Sequence, residues 1–218
     1  MTWIKICGTT NLEDALLAVE AGADALGFVF HEQSPRKIDP ETARKIVDQL
    51  PPQVETVGVF VNQTASRIHE VARNVGLSAI QFHGDEGADF LREVAVGLDQ
   101  GRAARTRYIK ALSMSLNSEL EAGNLQAQVD TFLLDSHSAL RRGGTGTTFD
   151  WPQAKPFVER YKTIVAGGLT SANVGEAISI LHPWGVDVAS GVEAAPGKKD
   201  PQKIRAFIAA VRVMVSGS

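Results

Sequence analysis

The chain has 218 residues, 44% hydrophobic and 22% charged, so its length suits one large domain or two small ones and its composition excludes wholesale disorder. Lysine and arginine total 22 against 25 aspartates and glutamates, and this net charge of -3 excludes a nucleic-acid binder that relies on a general basic field. The single cysteine excludes an internal disulfide and a cysteine-cluster zinc site.

Eight short apolar runs alternate with eight stretches in which apolar residues recur every three or four positions. The apolar runs predict strands over Trp3–Cys7, Ala23–Phe30, Val54–Val61, Ser78–Phe82, Arg107–Ala111, Thr131–Asp135, Thr163–Ala166 and Val186–Ala189. In the first helical stretch, Asn11 is the expected N-cap and Gly22 the stop signal. The later helices are predicted near Pro40–Leu50, Thr64–Val75, Gly87–Val96, Ser118–Gln128, Trp151–Tyr161, Ser171–Leu181 and Pro201–Val215.

This alternation predicts the fold class. Strands such as Leu26–Phe30 show no polar alternation, which is typical of a parallel sheet covered by helices. Eight units leave about 27 residues each, enough for one strand, one helix and two short loops. A doubly wound sheet is the main alternative. Because no linker or second compositional domain interrupts the repeats, we predict an α/β fold with a single (β/α)8 TIM barrel domain over residues 1–218.

No apolar run approaches the roughly 20 residues that span a bilayer. The N-terminal run is strand-like and lacks the features of a signal peptide. We therefore expect a soluble, cytoplasmic protein that binds a small molecule, with neither a membrane nor nucleic acid as partner.

Glycine-bearing turns are concentrated in the last third of the chain, at Gly143–Gly146, Gly167–Gly168 and Ser190–Gly191. Glycine lets backbone N–H groups approach an anion, and the loops after strands seven and eight are the usual phosphate site of this barrel. Although three ordinary turns are the alternative, we predict a phosphate site and hence a phosphorylated substrate. The candidate phosphate-binding residues are Gly144, Gly146, Gly167, Gly168, Ser190 and Gly191.

Cys7 and Asp135 end predicted strands at the rim where barrel active sites lie. A lone cysteine is also a common buried apolar residue, and to act as a base or nucleophile near neutral pH it would need a pKa below the ordinary value of about 8.5. Asp135 follows an apolar run, so it either caps a turn or acts as a general acid.

Three further rim residues are candidates for substrate binding. Arg36 follows Ser34-Pro35, and a guanidinium in such a loop suits bidentate recognition of a carboxylate. His83 directly follows a strand, where either a structural hydrogen bond or a substrate contact is open to it. Asp187 either orients the last loop or contacts a sugar hydroxyl. The five histidines are scattered, so no metal site is predicted.

Taken together, these motifs resemble the phosphoribosylanthranilate isomerase family of tryptophan biosynthesis. The matching segments, which run in order along nearly the whole chain, are Lys5–Gly8, Ser34–Arg36, Gly58–Asn62, Gln81–Gly84, Leu134–Ser136, Gly143–Gly146, Phe149–Trp151, Ala166–Leu169, Ser190–Glu193 and Pro196–Asp200. The combination of Cys7-Gly8 near the start with Ser190–Glu193 near the end is the most specific part of the match.

The resemblance implies an Amadori rearrangement of N-(5-phosphoribosyl)anthranilate to 1-(2-carboxyphenylamino)-1-deoxyribulose 5-phosphate, without cofactor or metal. Cys7 matches the family's general base and Asp135 its general acid. Arg36 matches the position that holds the anthranilate carboxylate, and the glycine turns match the phosphate site. Family members occur as monomers and homodimers.

Two alternative functions remain open on the sequence. A related aminoaldose–ketose isomerase of histidine biosynthesis shares the fold and chemistry, but it has an aspartate at the end of strand one, where this chain has Cys7. A non-catalytic phosphate-binding barrel would keep the glycine turns without needing Cys7, Arg36 and Asp135 together.

Overall fold

The structure is a computed structural model and describes residues 1–99, 105–115, 118–135 and 151–216. Eight parallel strands form a closed barrel in chain order, and the last pairs with the first. The strands are β1 (Trp3–Cys7), β2 (Ala25–Val29), β3 (Glu55–Phe60), β4 (Ala79–Phe82), β5 (Arg107–Ser113), β6 (Thr131–Asp135), β7 (Thr163–Ala166) and β8 (Gly185–Val188). The predicted (β/α)8 TIM barrel is therefore confirmed.

The helices that cover the barrel are α1 (Leu12–Ala21), α2 (Pro40–Val47), α3 (Ala65–Val75), α4 (Ala88–Asp99), α5 (Ser118–Leu125), α6 (Trp151–Arg160), α7 (Val174–Leu181) and α8 (Pro201–Ser216). Asn11 caps α1 by accepting a hydrogen bond from the Asp14 N–H, and Gly22 ends it in a left-handed conformation, both as predicted. In contrast, α2 ends at Val47 rather than at the predicted Leu50, and Pro51 disfavours the helical conformation of Leu50 itself.

Two elements follow β8 that the sequence patterns do not predict. A 3-10 turn covers Ser190–Val192, and a short antiparallel hairpin pairs β9 (Glu193–Ala195) with β10 (Lys198–Lys199). The hairpin places Lys199 opposite Glu193. It thus returns the chain to the rim before α8 begins.

Strand periodicity divides the barrel into an apolar outer layer and a partly polar interior. Successive side chains of a strand point to opposite faces, so Ile4 and Ile6 of β1 pack in the layer shared with the helices while Lys5 and Cys7 face the interior. Likewise, the apolar neighbours of Asp187 in β8 pack outward. The same alternation turns Gln81 of β4 and Asp135 of β6 toward the barrel interior.

Candidate active site

The rim at the C-terminal ends of the strands contains a cavity of about 270 Å³. Its lining includes Arg36, Asp135, Gly167, Gly168, Asp187, Ser190 and Gly191. A second cavity of about 200 Å³ lies on the β3 to β6 side, and His83 and Ser113 contribute to its lining. Asp135 lines both cavities. The fold therefore brings most of the predicted site residues to one end of the barrel, with Asp135 between two spaces.

Cys7 is 8% exposed and packs with Val29 and Val59 against Ala189, a residue that lines the larger cavity. Burial raises the pKa of the Cys7 thiol, the charges of Lys5 and Lys199 oppose this rise, and the charge of Asp187 adds to it. The shift is opposite to the lowered pKa that a base at neutral pH would need. Burial therefore favours the neutral thiol of Cys7 in the free protein.

Arg36 lies beside Cys7 because its side chain crosses the backbone of Gly8. Gly8 has a φ of +75°, and a Cβ added there would lie 2.6 Å from Cδ of Arg36, so the approach needs glycine. Nε and Nη2 of Arg36 donate to the two carboxylate oxygens of Glu193 at 2.8 and 2.7 Å. The bidentate contact predicted for Arg36 is thus made with a protein carboxylate, and Nη1 keeps no partner among the described residues.

Glu193 connects Arg36 to the end of β1. Its side chain is 4% exposed, and Lys199 donates to it at 3.1 Å and to the backbone carbonyl of Cys7 at 2.5 Å. Although burial raises the pKa of the Glu193 carboxyl, the hydrogen bond from Arg36 and the charge of Lys199 hold it below its ordinary value. Glu193 is therefore an ionised anchor that orients Arg36 toward the cavity.

The loops after β7 and β8 form one wall of the larger cavity. Gly167 and Gly168 have φ values of +83° and +64°. A Cβ added at Gly191 would lie 1.9 Å from the carbonyl oxygen of Leu169, so glycine is what lets the two loops touch. Of the predicted phosphate residues, Gly167, Gly168, Ser190 and Gly191 come together here, whereas Gly144 and Gly146 lie outside the described residues.

Polar side chains from β8, β1 and β4 run through the barrel interior toward Asp135. Asp187 contacts the ammonium of Lys5 at 3.2 Å, and Lys5 donates to Oε1 of Gln81 at 2.5 Å. Nε2 of Gln81 lies 2.8 Å from Nδ1 of His83, whose Nε2 lies 3.6 Å from Oδ2 of Asp135. Burial disfavours the charge on Lys5, but its pairing with Asp187 leaves the pKa of Lys5 raised, which favours the ammonium form.

Sequence reasoning missed four members of the site, namely Lys5, Gln81, Glu193 and Lys199. A signal for the first two was present, because polar residues occupy every second position in Ile4–Cys7 and in Ile80–His83. In a closed barrel such alternation places the polar side chains inside. The other two lie in the unpredicted hairpin, where strand alternation gave no signal and only the matched segments Ser190–Glu193 and Pro196–Asp200 marked them.

Within the described ranges, no group of three or more His, Cys, Asp and Glu residues is placed to hold a metal ion. Over the same ranges, no helix combines the length and the apolar character that crossing a membrane requires. The rim itself offers a thiol, a carboxyl group, a guanidinium and glycine-rich backbone.

The closed barrel and its polar rim place the chain among the (β/α)8-barrel enzymes. A family model described as N-(5'-phosphoribosyl)anthranilate isomerase matches residues 4–210. The N-(5'-phosphoribosyl)anthranilate isomerase of Pelobacter propionicus is 50% identical over 208 residues, which cover 95% of this chain and 94% of that protein. The chain belongs to the N-(5'-phosphoribosyl)anthranilate isomerase family, the isomerases of tryptophan biosynthesis, as the motif resemblance implied.

Two solved structures of phosphoribosylanthranilate isomerases match the whole fold. Each has a TM-score of 0.83 and 42% identity, and each comparison covers 98% of this chain and 100% of the solved chain. One holds reduced 1-(o-carboxyphenylamino)-1-deoxyribulose 5-phosphate. The other is a monomeric form of the dimeric enzyme from Thermotoga maritima. The Thermotoga maritima enzyme is thus described as dimeric, and a monomeric form of it has been generated.

Proposed function

We propose that this chain converts N-(5-phosphoribosyl)anthranilate to 1-(2-carboxyphenylamino)-1-deoxyribulose 5-phosphate, with Cys7 as general base and Asp135 as general acid. The proposal is based on the side chains and loops that meet at the C-terminal rim of the barrel. A carboxyl group lies between two cavities, and Arg36 and the glycine loops after β7 and β8 line the larger one. The thiol packs directly behind Ala189 of the same wall. These are the groups that a phosphate, a carboxylate and two proton transfers require.

The reaction begins when Asp135 donates its proton to the furanose ring oxygen. The bond between C1 and that oxygen breaks, and the nitrogen lone pair forms an iminium at C1. Cys7, whose thiol proton has passed to solvent, then removes the proton from C2 as the thiolate, and the C–H electrons move into the iminium to form an enolamine. Tautomerisation of the enolamine gives the ketone. Because the iminium accepts the electrons, the side chains at the rim supply all the chemistry that the rearrangement needs.

Substrate contacts follow from the same geometry. The glycine loops with Ser190 hold the phosphate, and Arg36, oriented by Glu193, holds the anthranilate carboxylate through Nη1. Asp187 lines the larger cavity and His83 the smaller one, which supports the proposal that both contact the sugar. Gly144 and Gly146 belong to this proposal on the motif alone.

We test the reaction by mixing freshly made phosphoribosylanthranilate with the purified protein and following anthranilate fluorescence. The expected result is a rapid loss of fluorescence that depends on protein concentration. The histidine-pathway aminoaldose serves as the comparison substrate. Turnover of that substrate without turnover of phosphoribosylanthranilate would replace the proposed reaction with the alternative one on the same barrel. Phosphate binding without turnover of either substrate would support a non-catalytic barrel.

The raised pKa of Cys7 predicts the pH at which its thiolate forms in the free protein. Because burial disfavours the thiolate, its fraction should grow with pH and reach its plateau only above the ordinary thiol value of about 8.5. The thiolate is followed from about pH 7 to 10 by its ultraviolet absorbance, as the difference between the wild-type protein and Cys7→Ala. A thiolate fraction already constant at about pH 8 would contradict the raised pKa.

Arg36→Met is expected to raise KM by about 10- to 100-fold with a small change in kcat, because a charge-assisted hydrogen bond to the carboxylate is lost from ground and transition states alike. Glu193→Gln should give a smaller change of the same kind, since the guanidinium remains but loses its ionised anchor. Arg36→Lys, which keeps the charge without the planar fork, is the matched control. An unchanged KM and kcat in Arg36→Met would remove Arg36 from the site.

We also propose the domain organisation, the oligomeric state and the cellular location of this chain. We place residues 1–218 in one barrel domain because all eight described barrel strands close into a single sheet. We propose that the chain works as a monomer or a homodimer, which the relatives support. A cytoplasmic location is proposed from the biosynthetic role of the family.

A further inference from the structure

The interior side chains that lead to Asp135 include a glutamine whose orientation is dictated by charge. Gln81 is 1% exposed and lies between the ammonium of Lys5 at 2.5 Å and Nδ1 of His83 at 2.8 Å. Lys5 is fully buried, and its ammonium can only donate hydrogen bonds. The Gln81 atom that faces Lys5 must therefore be the carbonyl oxygen. This settles a choice that amide geometry alone leaves open.

The orientation of Gln81 determines the tautomer of His83. With its oxygen on Lys5, the amide turns its NH2 group toward Nδ1 of His83, so Nδ1 must be the acceptor. A neutral imidazole that accepts at Nδ1 carries its hydrogen on Nε2, and Nε2 is the atom 3.6 Å from Asp135. Burial lowers the pKa of His83 despite the opposing charge of Asp135, which agrees with a neutral ring.

We propose that Gln81 is a positioning residue that, anchored by Lys5, holds His83 as the Nε2–H tautomer, so that a hydrogen-bond donor rather than a lone pair faces Asp135. Its effect on turnover rests on the proposed role of Asp135 as general acid. Once Asp135 has given its proton to the ring oxygen, the His83 N–H stabilises the carboxylate that remains. At 3.6 Å the contact is longer than a hydrogen bond in the free protein, so the proposal requires it to shorten in the substrate complex.

The tautomer is measured in the free protein by 15N NMR of the histidine ring nitrogens, with the His83 signals assigned by their loss in His83→Asn. We expect an acceptor-type shift at Nδ1 and a protonated-type shift at Nε2. In Gln81→Glu the carboxylate still accepts from Lys5 but now also needs a donor from His83, so the tautomer should reverse. The same substitution at an exposed position, Gln53→Glu, should leave the tautomer unchanged.

Gln81→Glu should lower kcat by about 10- to 100-fold with little change in KM, because only the charge that develops on Asp135 loses its donor. Gln81→Met, which removes the amide without adding a charge, should populate both tautomers and lower kcat less. An Nδ1–H tautomer in the wild-type protein, or no reversal in Gln81→Glu, would overturn the proposal, and the wild-type measurement requires no variant to fold.

The NMR measurement tests the tautomer of His83, and the kinetic measurement tests its effect on turnover. A reversed tautomer with unchanged kcat would leave the geometry intact and would overturn the positioning role. If the wild-type protein shows the expected tautomer but does not turn over phosphoribosylanthranilate, the assignment of the tautomer stands and the proposed reaction fails.

Discussion

Cys7→Ser is expected to fold normally and to lose kcat by about 10²- to 10⁴-fold, the contribution of one general base. A hydroxyl is far harder to deprotonate than a thiol, and the apolar contacts of Cys7 with Val29 and Val59 give an alkoxide no stabilisation. Turnover is followed by anthranilate fluorescence and folding by thermal denaturation. Because serine and cysteine have nearly the same shape, a loss of activity in a protein that still folds would be due to the lost thiol.

Cys7→Ala separates chemistry from packing in this experiment. Alanine leaves a small void but introduces no polar group, so its stability should lie near that of the wild type while its turnover falls as far as that of serine. Near wild-type turnover in either variant would exclude Cys7 as the base. If the melting temperature falls strongly in Cys7→Ser but not in Cys7→Ala, the buried hydroxyl destabilises the fold. The kinetics of Cys7→Ala would then test the role of Cys7 as base.

Asp135→Asn is expected to reduce kcat by a comparable factor of about 10²- to 10⁴-fold, because an amide has the shape of a carboxyl group but is no acid. The loss should appear in kcat more than in KM, since the proton moves only as the ring opens. The matched control is Asp130→Asn, the same substitution just before the opposite end of β6, where the carboxylate accepts a hydrogen bond from the Tyr108 backbone.

Asp130→Asn should alter stability and leave turnover unchanged, because it lies at the end of the strand away from the cavities. If Asp135→Asn keeps wild-type turnover, the ring oxygen must receive its proton from another group. If Asp130→Asn loses as much activity as Asp135→Asn, the effect of both would be on folding rather than on proton transfer.

Closure of the barrel explains why the proposed acid, base and carboxylate-binding residue lie at the same rim. Cys7 ends the first strand and Asp135 the sixth, whereas Glu193 follows the eighth. Parallel strands end on the same side, and pairing of β8 with β1 brings the two ends of the chain together. Arg36 and Glu193 are 157 positions apart in sequence and form a bidentate pair only because of that closure.

Local patterns in the sequence were enough to predict the barrel and its rim. Apolar periodicity marks each strand and helix, Asn11 and Gly22 mark the bounds of α1, and strand ends mark the rim where Cys7 and Asp135 lie. These features depend on backbone preferences and on burial within a few residues, which a sequence displays directly. The motif resemblance added the family, which the comparisons confirm.

Only the tertiary structure decided the partners and the electrostatics. Lys5 and Gln81, 76 positions apart, are two polar residues in separate strands until the barrel closes around them. The pKa of Cys7 rises because of burial by residues from other strands, and Arg36 is anchored by a hairpin that no pattern predicts. Contacts between distant residues depend on the register and closure of the whole sheet. Local propensity determines where strands and helices form, whereas the packing of those elements determines which side chains meet.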